Sequence, residues 1–557
     1  MEESAKNRED FNLVDEPWII LLSKDGRTAK KSLKEAFLCA QDFVDIGGEV
    51  RLQDAAILRL MSAVSIKLLY TYDEHGDEKP LCSKRDAERR FAAVWKTGKF
   101  CGRAVEEYFK KWHERFWLFD SRYPFYQIPL EGLQTTEKTD CPYTKAPVME
   151  YGTAMTWFPI ANINARVQRS NNRPYAPYKD ISDDRIGEAD YDEAARWLVF
   201  YLAYADCVAG KNRKAECGKL KGQYVNSKQT LPAHGARVTP VGENLFETVM
   251  LNSCLFYLRG ELYGSCTPAW EKDVFDRGIV SDLSMPYDLP QVFTSQSRRV
   301  LLVRDKGKVV GAFVFAGEAY TDDSLWTEPT FMTDTLKDKN DAVFHVIKHC
   351  LSSTDTWRDI AYITGRSGNT GGERNEGAKI TKWVALLTEN EEIIPEDRVI
   401  PFRVTDISYK SMYCGIDMMF EDSILLSRRF LTESDIQDSA LEELGTVEKL
   451  AKAVYSFGNA CSLCMGREKK DTRIAKTLQR QYTEKAGDAF RDFISGKISL
   501  GELQAAEYRA AEKVAADYVK ANTQIFLKGK RGEDGTNIGK AYGDFLKRIG
   551  RYAPKNR

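Results

Sequence analysis

Histidine, cysteine and net charge are all scarce in this sequence. Its 557 residues include 5 histidines and 12 cysteines, and 81 Lys and Arg side chains balance 82 Asp and Glu side chains, which leaves a formal net charge of −1. So few cysteines exclude a disulfide scaffold and favour reduced thiols in the cytoplasm. Because the chain has no overall positive field, a nucleic-acid surface would have to be a local patch.

Long hydrophobic runs are missing as well. The longest, residues 197–205, is far shorter than the ~20 residues that span a bilayer. The first residues are mostly polar and charged, unlike a secretory signal. Since 43% of the residues are hydrophobic and 29% are charged, the composition is that of a globular protein. We expect a soluble cytoplasmic protein with no membrane partner.

Catalytic signatures are also absent. The sequence contains no Walker-type Gly-x-x-x-x-Gly-Lys-Ser/Thr, no Gly-x-Gly-x-x-Gly after a strand and no His-Glu-x-x-His. Residues 365–369 approach the Gly-x-Ser-x-Gly nucleophile elbow around Ser367, but their fifth residue is Asn. The sequence therefore favours a protein that is not an enzyme.

Two residue pairs could ligate a metal. His345 and His349 would share one face if they lay on a helix, although two unrelated imidazoles explain the pair more simply. Cys461 and Cys464 have no second pair at zinc-finger spacing, and they fall on a helix predicted to be buried, where free cysteine acts as a small hydrophobe. We expect neither a metal nor a cofactor.

Strand and helix patterns alternate in the first 431 residues. Residues 19–22 are typical of a buried strand, and residues 57–68 place their apolar side chains on one face of a helix. Residues 192–207 predict a second helix. Residues 299–314 predict a hairpin, because two apolar runs flank a polar turn that contains glycine.

From about Thr432 the pattern becomes purely helical. Four amphipathic stripes are separated by breaks that contain glycine. The stripes cover residues 444–461, 474–490, 503–518 and 538–549. The sequence therefore predicts an α+β protein with a large mixed α/β domain, residues 1–431, followed by a four-helix bundle, residues 432–557.

One polar segment, residues 161–179, carries basic side chains and no acid. Its tyrosines and asparagines could contact bases, and its cations could contact phosphates. A solvated loop explains the composition equally well. The candidate residues for contact with nucleic acid or with a partner complex are Arg166, Arg169, Asn171, Asn172, Arg173, Tyr175 and Lys179.

Two further segments combine glycine with basic or short polar residues. In residues 210–237 the cations outnumber a single acid, and in residues 363–382 a glycine-rich run could enter a narrow groove. Solvated surface loops explain these two segments about equally well. Arg298 and Arg299 form a basic pair just before the hairpin, and residues 528–557 are also rich in Lys and Arg, although solvation explains both features more simply. The candidate DNA contacts are Lys211, Asn212, Arg213, Lys214, Gly365, Arg366, Gly368, Asn369, Thr370 and Gly371.

Four stretches, taken in order, resemble a known family. Residues 11–19 (FNLVDEPWI), 116–127 (FWLFDSRYPFYQ), 244–252 (NLFETVMLN) and the C-terminal helices are similar to the large subunit, CasA, of the type I-E CRISPR surveillance complex Cascade. The resemblance covers nearly the whole chain. It implies that the N-terminal domain recognises the protospacer-adjacent motif (PAM) on duplex DNA, largely from the minor-groove side.

The same resemblance implies the rest of the assembly. A wedge in the glycine-rich loop would help to separate the strands, so that guide RNA pairs with the target in an R-loop. The helical bundle would contact the small-subunit dimer, and a separate helicase-nuclease, recruited in trans, would cut the DNA. Some members of the family have a cysteine cluster that this sequence lacks, which implies no zinc.

By position, the family's wedge triplet falls on Asn369, Thr370 and Gly371. Thr370 is shorter than the family's usual glutamine, so either Arg366 and Arg374 assist or the register differs by one or two residues. The family's glycine loop near the PAM corresponds to residues 210–214. The loop that meets the foot of the complex corresponds to residues 172–179.

Two alternatives remain open at the level of sequence. The acidic pairs Asp322–Asp323 and Glu391–Glu392 could hold Mg²⁺ in a metal-dependent nuclease, although solvated turns explain them more simply. A scaffold of the same complex with no DNA contact is the other alternative.

Overall fold

The structure is a computed structural model of the chain, and it describes sixteen stretches. These are residues 11–130, 133–138, 145–148, 155–164, 187–204, 235–255, 266–272, 288–296, 298–316, 328–337, 343–350, 356–365, 377–409, 416–468, 470–522 and 537–554. None of the helices in these stretches is long and apolar enough to cross a membrane.

Helices dominate the described residues. In the first part of the chain they are α1 (Leu33–Leu38), α2 (Arg51–Thr71), α3 (Lys84–Thr97), α4 (Gly102–Trp112), α5 (Tyr191–Tyr204), α6 (Leu245–Leu251), α7 (Leu289–Phe293), α8 (Ile360–Thr364) and α9 (Lys379–Leu387). Further along they are α10 (Arg428–Thr432), α11 (Ser434–Cys464), α12 (Arg473–Ile494), α13 (Leu500–Ala521) and α14 (Ile538–Ile549).

The strands form small antiparallel sheets. They are β1 (Ile19–Ser23), β2 (Thr28–Lys31), β3 (Phe43–Ile46), β4 (Gln134–Lys138), β5 (Lys145–Val148), β6 (Thr156–Pro159), β7 (Arg237–Pro240), β8 (Arg298–Asp305), β9 (Lys308–Ala316), β10 (Thr333–Lys337), β11 (Val343–Ile347), β12 (Val399–Tyr409) and β13 (Ile416–Ser427). Three sheets have the orders β2-β1-β3, β13-β12-β7 and β6-β9-β8, and β4-β5 and β10-β11 are two-stranded.

Helix α2 is the centre of the N-terminal region. The sequence predicts one apolar face, but side chains on every side of α2 are buried, including those of Gln53, Asp54 and Arg59. Helices α3, α4, α5, α6 and α7 all pack against it. The predicted helix is therefore confirmed, and burial extends beyond its predicted apolar face because five other helices pack around it.

The predicted hairpin is confirmed as β8 and β9. Its two central turn residues, Lys306 and Gly307, have φ values of +48° and +77°, as a type I′ turn requires. Asp305 pairs with Lys308 across the turn. Gly307 tolerates the left-handed conformation at no steric cost, which allows the two-residue turn that connects the strands of this hairpin.

A helix lies at each of the four predicted C-terminal stripes. Helix α11 packs against α12, α13 and α14, and α13 packs against α12 and α14. Gly466 and Gly496 follow the ends of α11 and α12 with φ values of +73° and +81°, the left-handed geometry that commonly ends a helix. At the start of α13, Ser499 and Glu502 form a capping box.

One contiguous hydrophobic core runs through the described residues. It extends from Leu13 near the N-terminus to Ile549 in α14, so the mixed region and the C-terminal helices share buried contacts. The boundary between residues 431 and 432 stays a prediction. One such contact joins Trp357, next to α8, to Phe490 of α12, with ring centroids 5.2 Å apart and the ring planes tilted by 41°.

Candidate nucleic-acid interface

Of the predicted contact residues, the structure describes Gly365, Arg298 and Arg299. The others lie outside the described residues, in segments 165–186, 205–234 and 366–376. What the structure does show is the residues at both ends of each segment. The positions of those ends determine which of the predicted contacts share a surface.

The basic pair was predicted incorrectly. Arg298 and Arg299 are the first residues of β8 rather than a pair that precedes it, and they are 0% and 6% exposed. They pair in register with Ala316 and Phe315 of β9. Because their charges are enclosed by the protein, we withdraw them as DNA contacts.

The two residues that flank the glycine-rich segment 366–376 lie in contact with each other. Gly365 and Gly377 have φ values of +76° and +61°, and a Cβ added to Gly377 would lie 2.1 Å from the Gly365 nitrogen. The Ala378 amide donates to the Tyr362 carbonyl at 3.1 Å. The Thr333 hydroxyl donates to the Gly377 carbonyl at 2.9 Å. Gly365 and Gly377 therefore lie against each other at the base of segment 366–376, and only glycine fits at position 377.

The ends of the basic segment 205–234 also lie close together. Tyr204 is the last residue of α5, and the Arg237 guanidinium stacks 4.6 Å from its ring. The Tyr409 hydroxyl donates to the Tyr204 carbonyl at 2.9 Å. At the other end, a Cβ on Gly235 would lie 2.7 Å from the Lys348 carbonyl oxygen. This close approach explains why glycine is the residue here.

The last residue of each segment is followed by a residue at one set of backbone hydrogen bonds, Gly235 directly and Gly377 through Thr333. We call this set the anchor ladder: residues 235–238, 330–333 and 347–350. The Ala236 amide donates to the Lys348 carbonyl at 2.8 Å, and the Lys348 amide donates to the Met332 carbonyl at 2.8 Å. The neighbouring Thr333 is the residue that holds Gly377. The ladder thus places the ends of 205–234 and 366–376 side by side.

Cationic side chains surround the anchor ladder. The Lys348 ammonium lies 4.4 Å from the centroid of the Tyr362 ring, a cation–π contact. Arg237 is fully buried, and burial, aided by the nearby Arg59, lowers its pKa to about 9 against the opposing pull of Glu328 and Asp406. Because Arg59 pairs with Glu328 at 2.7 Å, the Arg237 charge has no ion-pair partner of its own among the described residues.

The third segment, 165–186, starts elsewhere. Asn164, just before it, donates from Nδ2 to Glu193 Oε1 in the first turn of α5, at 3.3 Å. Segment 205–234 follows the last residue of the same helix. Since α5 has 14 residues, its two ends are roughly 20 Å apart. The described residues that flank segments 205–234 and 366–376 therefore lie together, and Asn164, before segment 165–186, lies at the other end of α5.

A cleft adjoins the base of the glycine-rich segment. It has a volume of about 610 Å³ and is lined by residues of both regions. Thr364, Gly365 and Lys382 lie on one side, and Ser434 and Gln437 of α11 lie on the other. The closure of segment 366–376 is thus next to the first turn of the longest C-terminal helix.

The two residue pairs that could ligate a metal, one of histidines and one of cysteines, do not form metal sites among the described residues. His345 lies on strand β11, opposite Thr335, and not on a helix with His349. Cys461 is buried in α11, and burial raises the pKa of its thiol to about 12, which suits a core residue rather than a thiolate ligand. Within the described stretches, no three His, Cys, Asp or Glu side chains form a group that could hold a metal ion.

The acidic pairs of the nuclease alternative have ordinary surroundings where they are described. Glu391 and Glu392 are exposed, and their carboxylates lie 3.9 Å from Arg428 and 3.4 Å from Lys96. Asp322 and Asp323 lie outside the described residues. Surface ion pairs of this kind contribute little and do not build an active site.

Sequence reasoning missed the residues that organise this interface. Gly377 stands in the sequence as one glycine among several, whereas the structure makes it the closing contact. Asp406 belongs to no motif, yet it is buried and accepts hydrogen bonds from His349 and from the Cys350 amide. No local signal reports such contacts, because the partners are far apart along the chain.

Comparisons with known proteins give a consistent result. The family model described as CRISPR-associated protein Cse1 matches residues 12–521. A curated protein of Thermus thermophilus, described as CRISPR-associated protein CasA/Cse1, is 26% identical over 365 residues, or 65% of this chain. This chain spans 61% of the length of that relative in the alignment.

Solved structures share the fold. Cse1 of Thermobifida fusca is similar with a TM-score of 0.76 at 20% identity, over 98% of both chains. Cse1 of Acidimicrobium ferrooxidans gives 0.73 at 20% identity, over 98% of this chain and 99% of the other. A chain of a CRISPR RNA-guided surveillance complex gives 0.66 at 15% identity, over 97% and 99%. At these identities the similarity establishes the fold alone.

Proposed function

The chain belongs to the CRISPR-associated Cse1 family, and from this premise we propose that it is the DNA-recognising large subunit of a type I-E surveillance complex. In this proposal it reads the PAM beside the target and helps to open the duplex, so that guide RNA can pair and form an R-loop. The observation that carries the proposal is the anchor ladder, which joins the ends of the basic and the glycine-rich segments.

The ladder supports recognition at one site. If Lys211 to Lys214 and Asn369 to Gly371 contact DNA, the two segments share the ladder at one end, where Gly235 and Gly377 lie, so both would reach the same part of the duplex. The basic segment would supply phosphate contacts, which position the protein. The glycine-rich segment would supply short side chains and amides to the minor groove, which distinguishes A·T from G·C pairs.

The separated third segment supports a second contact along the duplex or with the complex. The length of α5, roughly 20 Å, corresponds to about six base pairs of B-DNA. Arg166, Arg169 and Arg173 would therefore meet phosphates at a distance from the PAM, or meet the foot of the complex.

For the C-terminal helices we propose a bundle that contacts the small-subunit dimer and the displaced strand. On α14 and just after it, Lys540, Lys547 and Arg551 are exposed on one side of the helix, where they outnumber the exposed Asp544 that lies between them. Arg548 reaches back to α11, where it donates to the Ser456 hydroxyl at 3.2 Å. A basic side of this kind can follow a phosphate backbone.

We further propose that the protein itself cuts nothing and serves as the landing site for a helicase-nuclease. The ordinary ion pairs of Glu391 and Glu392 support this view over a metal-dependent nuclease. Incubation of the purified chain with DNA and Mg²⁺, beside a chelator control, separates the two. Cleavage that the chelator abolishes would establish the nuclease instead.

The direct test uses a complex assembled with guide RNA, with and without this subunit. Duplexes that carry the target and a randomised flanking sequence are sorted by binding. We expect the complete complex to enrich a short flanking motif and the complex without this subunit to enrich none. The same flanking preference in both samples would assign PAM recognition to another subunit.

A further inference from the structure

His349 is held in place by a buried carboxylate next to the anchor ladder. Its Nδ1 lies 3.2 Å from Oδ1 and 3.2 Å from Oδ2 of Asp406. Because an ionised carboxylate only accepts hydrogen bonds, Nδ1 is the donor and the orientation of the ring is fixed. The His349 side chain is 44% exposed, whereas that of Asp406 is 0% exposed.

Asp406 is itself held firmly. It accepts hydrogen bonds from the backbone amides of Cys350 and Ile407, both at 2.7 Å. These two hydrogen bonds fix the orientation of the Asp406 carboxylate, which in turn fixes the position of the His349 imidazole. Among the described residues no hydrogen bond reaches Nε2 of His349, which leaves that atom available to a ligand.

The charged groups around this pair come from four elements. Asp406 lies on β12, Arg237 lies on β7 and acts electrostatically on Asp406, and Lys348 precedes His349 in the chain. Asp359, at the start of α8, accepts a hydrogen bond from the Cys350 thiol at 3.4 Å. His349 is exposed and Lys348 is half-buried, whereas the carboxylates of Asp406 and Asp359 are buried.

We propose that His349 binds, through Nε2, a phosphate oxygen of a nucleic-acid backbone, with Asp406 as its positioning residue. The inference rests on the proposed function, since it assumes that the anchor ladder faces nucleic acid. With Nδ1 donating to Asp406, the neutral ring carries a lone pair on Nε2, which a phosphate oxygen repels. Only the imidazolium donates from both nitrogens, so binding takes up one proton from solvent, and buried Asp406 balances the charge formed.

Binding should therefore strengthen as the pH falls, because imidazole is the side chain whose charge ordinarily changes between about pH 5 and 8. Duplex binding by the full chain is measured by fluorescence anisotropy at about pH 6 and about pH 8, at constant ionic strength. We expect the wild type to bind about three- to tenfold more tightly at the lower pH, the range for a partly exposed, charge-assisted hydrogen bond. The variant His349→Gln should lose this difference.

A matched control is His75→Gln. His75 is a solvent-exposed histidine, 76% exposed, beside a glutamate, and it lies before α3 and away from the ladder. This variant should keep the full pH dependence. Asp406→Asn should weaken binding at the lower pH, and thermal melts show whether it remains folded. If His349→Gln shows the same pH dependence as the wild type, the inference is wrong.

A second probe separates this inference from the proposed function. Inorganic phosphate is titrated into the full chain while the ring protons of the 5 histidines are followed by NMR. We expect one signal, the one missing in His349→Gln, to shift. If duplex DNA fails to bind but this signal shifts, the DNA function fails and the anion site stands. If the His349 signal does not respond to phosphate, the site does not exist.

Discussion

Gly377 and Gly365 meet backbone to backbone, so closely that a Cβ on Gly377 would lie 2.3 Å from the Gly365 Cα and 2.1 Å from its nitrogen. This close approach joins two residues that are separated by the whole of segment 366–376. Their positive φ values add a second reason for glycine. The base of the predicted DNA-reading segment is thus fixed by two residues that carry no side chain.

Replacement of Gly377 by alanine should therefore open this base. The methyl group meets backbone atoms that cannot turn aside, and the left-handed φ adds strain, so we expect a loss of stability of about 2–3 kcal/mol. Binding of PAM-containing duplex should fall more than tenfold, because the segment would no longer be held in place. Chemical denaturation and anisotropy provide the two measurements.

Gly98→Ala is the matched control for this variant. Gly98 ends α3 with a φ of +68°, close to that of Gly377, but a Cβ there meets nothing within 4 Å. The Gly98→Ala variant should lose only about 1 kcal/mol of stability, from backbone strain, and its DNA binding should be unchanged. Equal losses of DNA binding in both variants would show that the closure has no special role.

Much of the fold could be predicted from the sequence, because its signals are local. The turn at Lys306 and Gly307 closes the hairpin, and glycines mark the ends of α11 and α12. The family resemblance is likewise confirmed, since the family match extends over residues 12–521. Each of these inferences depends on residues that are near one another in the chain or in a known order.

The errors share a different physical cause. Arg298 and Arg299 read as solvent-facing cations, but their strand is covered by the rest of the protein, which no local pattern reveals. His345 and His349 would share a face only on a helix, but Val343 to Ile347 is rich in β-forming residues and forms strand β11, so the simpler interpretation of two unrelated imidazoles fits the structure. The pairing of His349 with Asp406 joins residues 57 positions apart and depends on tertiary packing.

The C-terminal helices contain a buried carboxyl pair that should make stability depend on pH. Glu507 of α13 is 0% exposed and lies beside Glu443 of α11, whose Oε1 accepts from Gln504 at 2.6 Å. Burial raises the pKa of Glu507 from 4.5 to about 9, and repulsion from the neighbouring Glu443 carboxylate contributes to the same shift. The folded state therefore takes up a proton that the unfolded state releases above pH 4.5.

The direction of the pH dependence follows from proton linkage. The contribution of Glu507 to stability is complete below about pH 4.5 and is lost progressively as the pH rises towards 9. Glu507→Gln keeps the shape but cannot titrate, so at about pH 8 it should be more stable than the wild type, which must take up a proton on folding at that pH. Thermal melts across this pH range measure the effect.

The control for this variant is Glu484→Gln on α12. The Glu484 carboxylate is 64% exposed and pairs with Arg480 at 3.5 Å, so its removal should change stability little at any pH. An equal pH dependence in the wild type and in Glu507→Gln would mean that the buried pair is not what titrates.

Replacement of Asn369 tests whether the glycine-rich segment recognises the base sequence of the DNA. An asparagine side chain can hydrogen-bond base edges, whereas alanine cannot, so Asn369→Ala should weaken binding of duplex with a PAM by about 1–3 kcal/mol. Binding of a duplex with a scrambled flank should change little. The measurement is the ratio of the two affinities, compared between variant and wild type. Equal losses on both duplexes would make Asn369 a backbone contact without a role in specificity.

Charge reversal of Arg166, Arg169 and Arg173 tests the separated segment. A cation that neutralises a phosphate releases condensed counterions, so the slope of log K against log salt falls by about 0.9 in magnitude for every phosphate that is no longer neutralised. The triple variant should therefore bind duplex more weakly and with a flatter salt dependence, whatever the sequence beside the target. Arg480→Glu, a reversal at a side chain 75% exposed on α12, controls for the reversal of one exposed charge far from this segment in the sequence and should leave the slope unchanged. If the triple variant has the wild-type slope, segment 165–186 does not touch the DNA backbone, and its cations serve the interface with the rest of the complex.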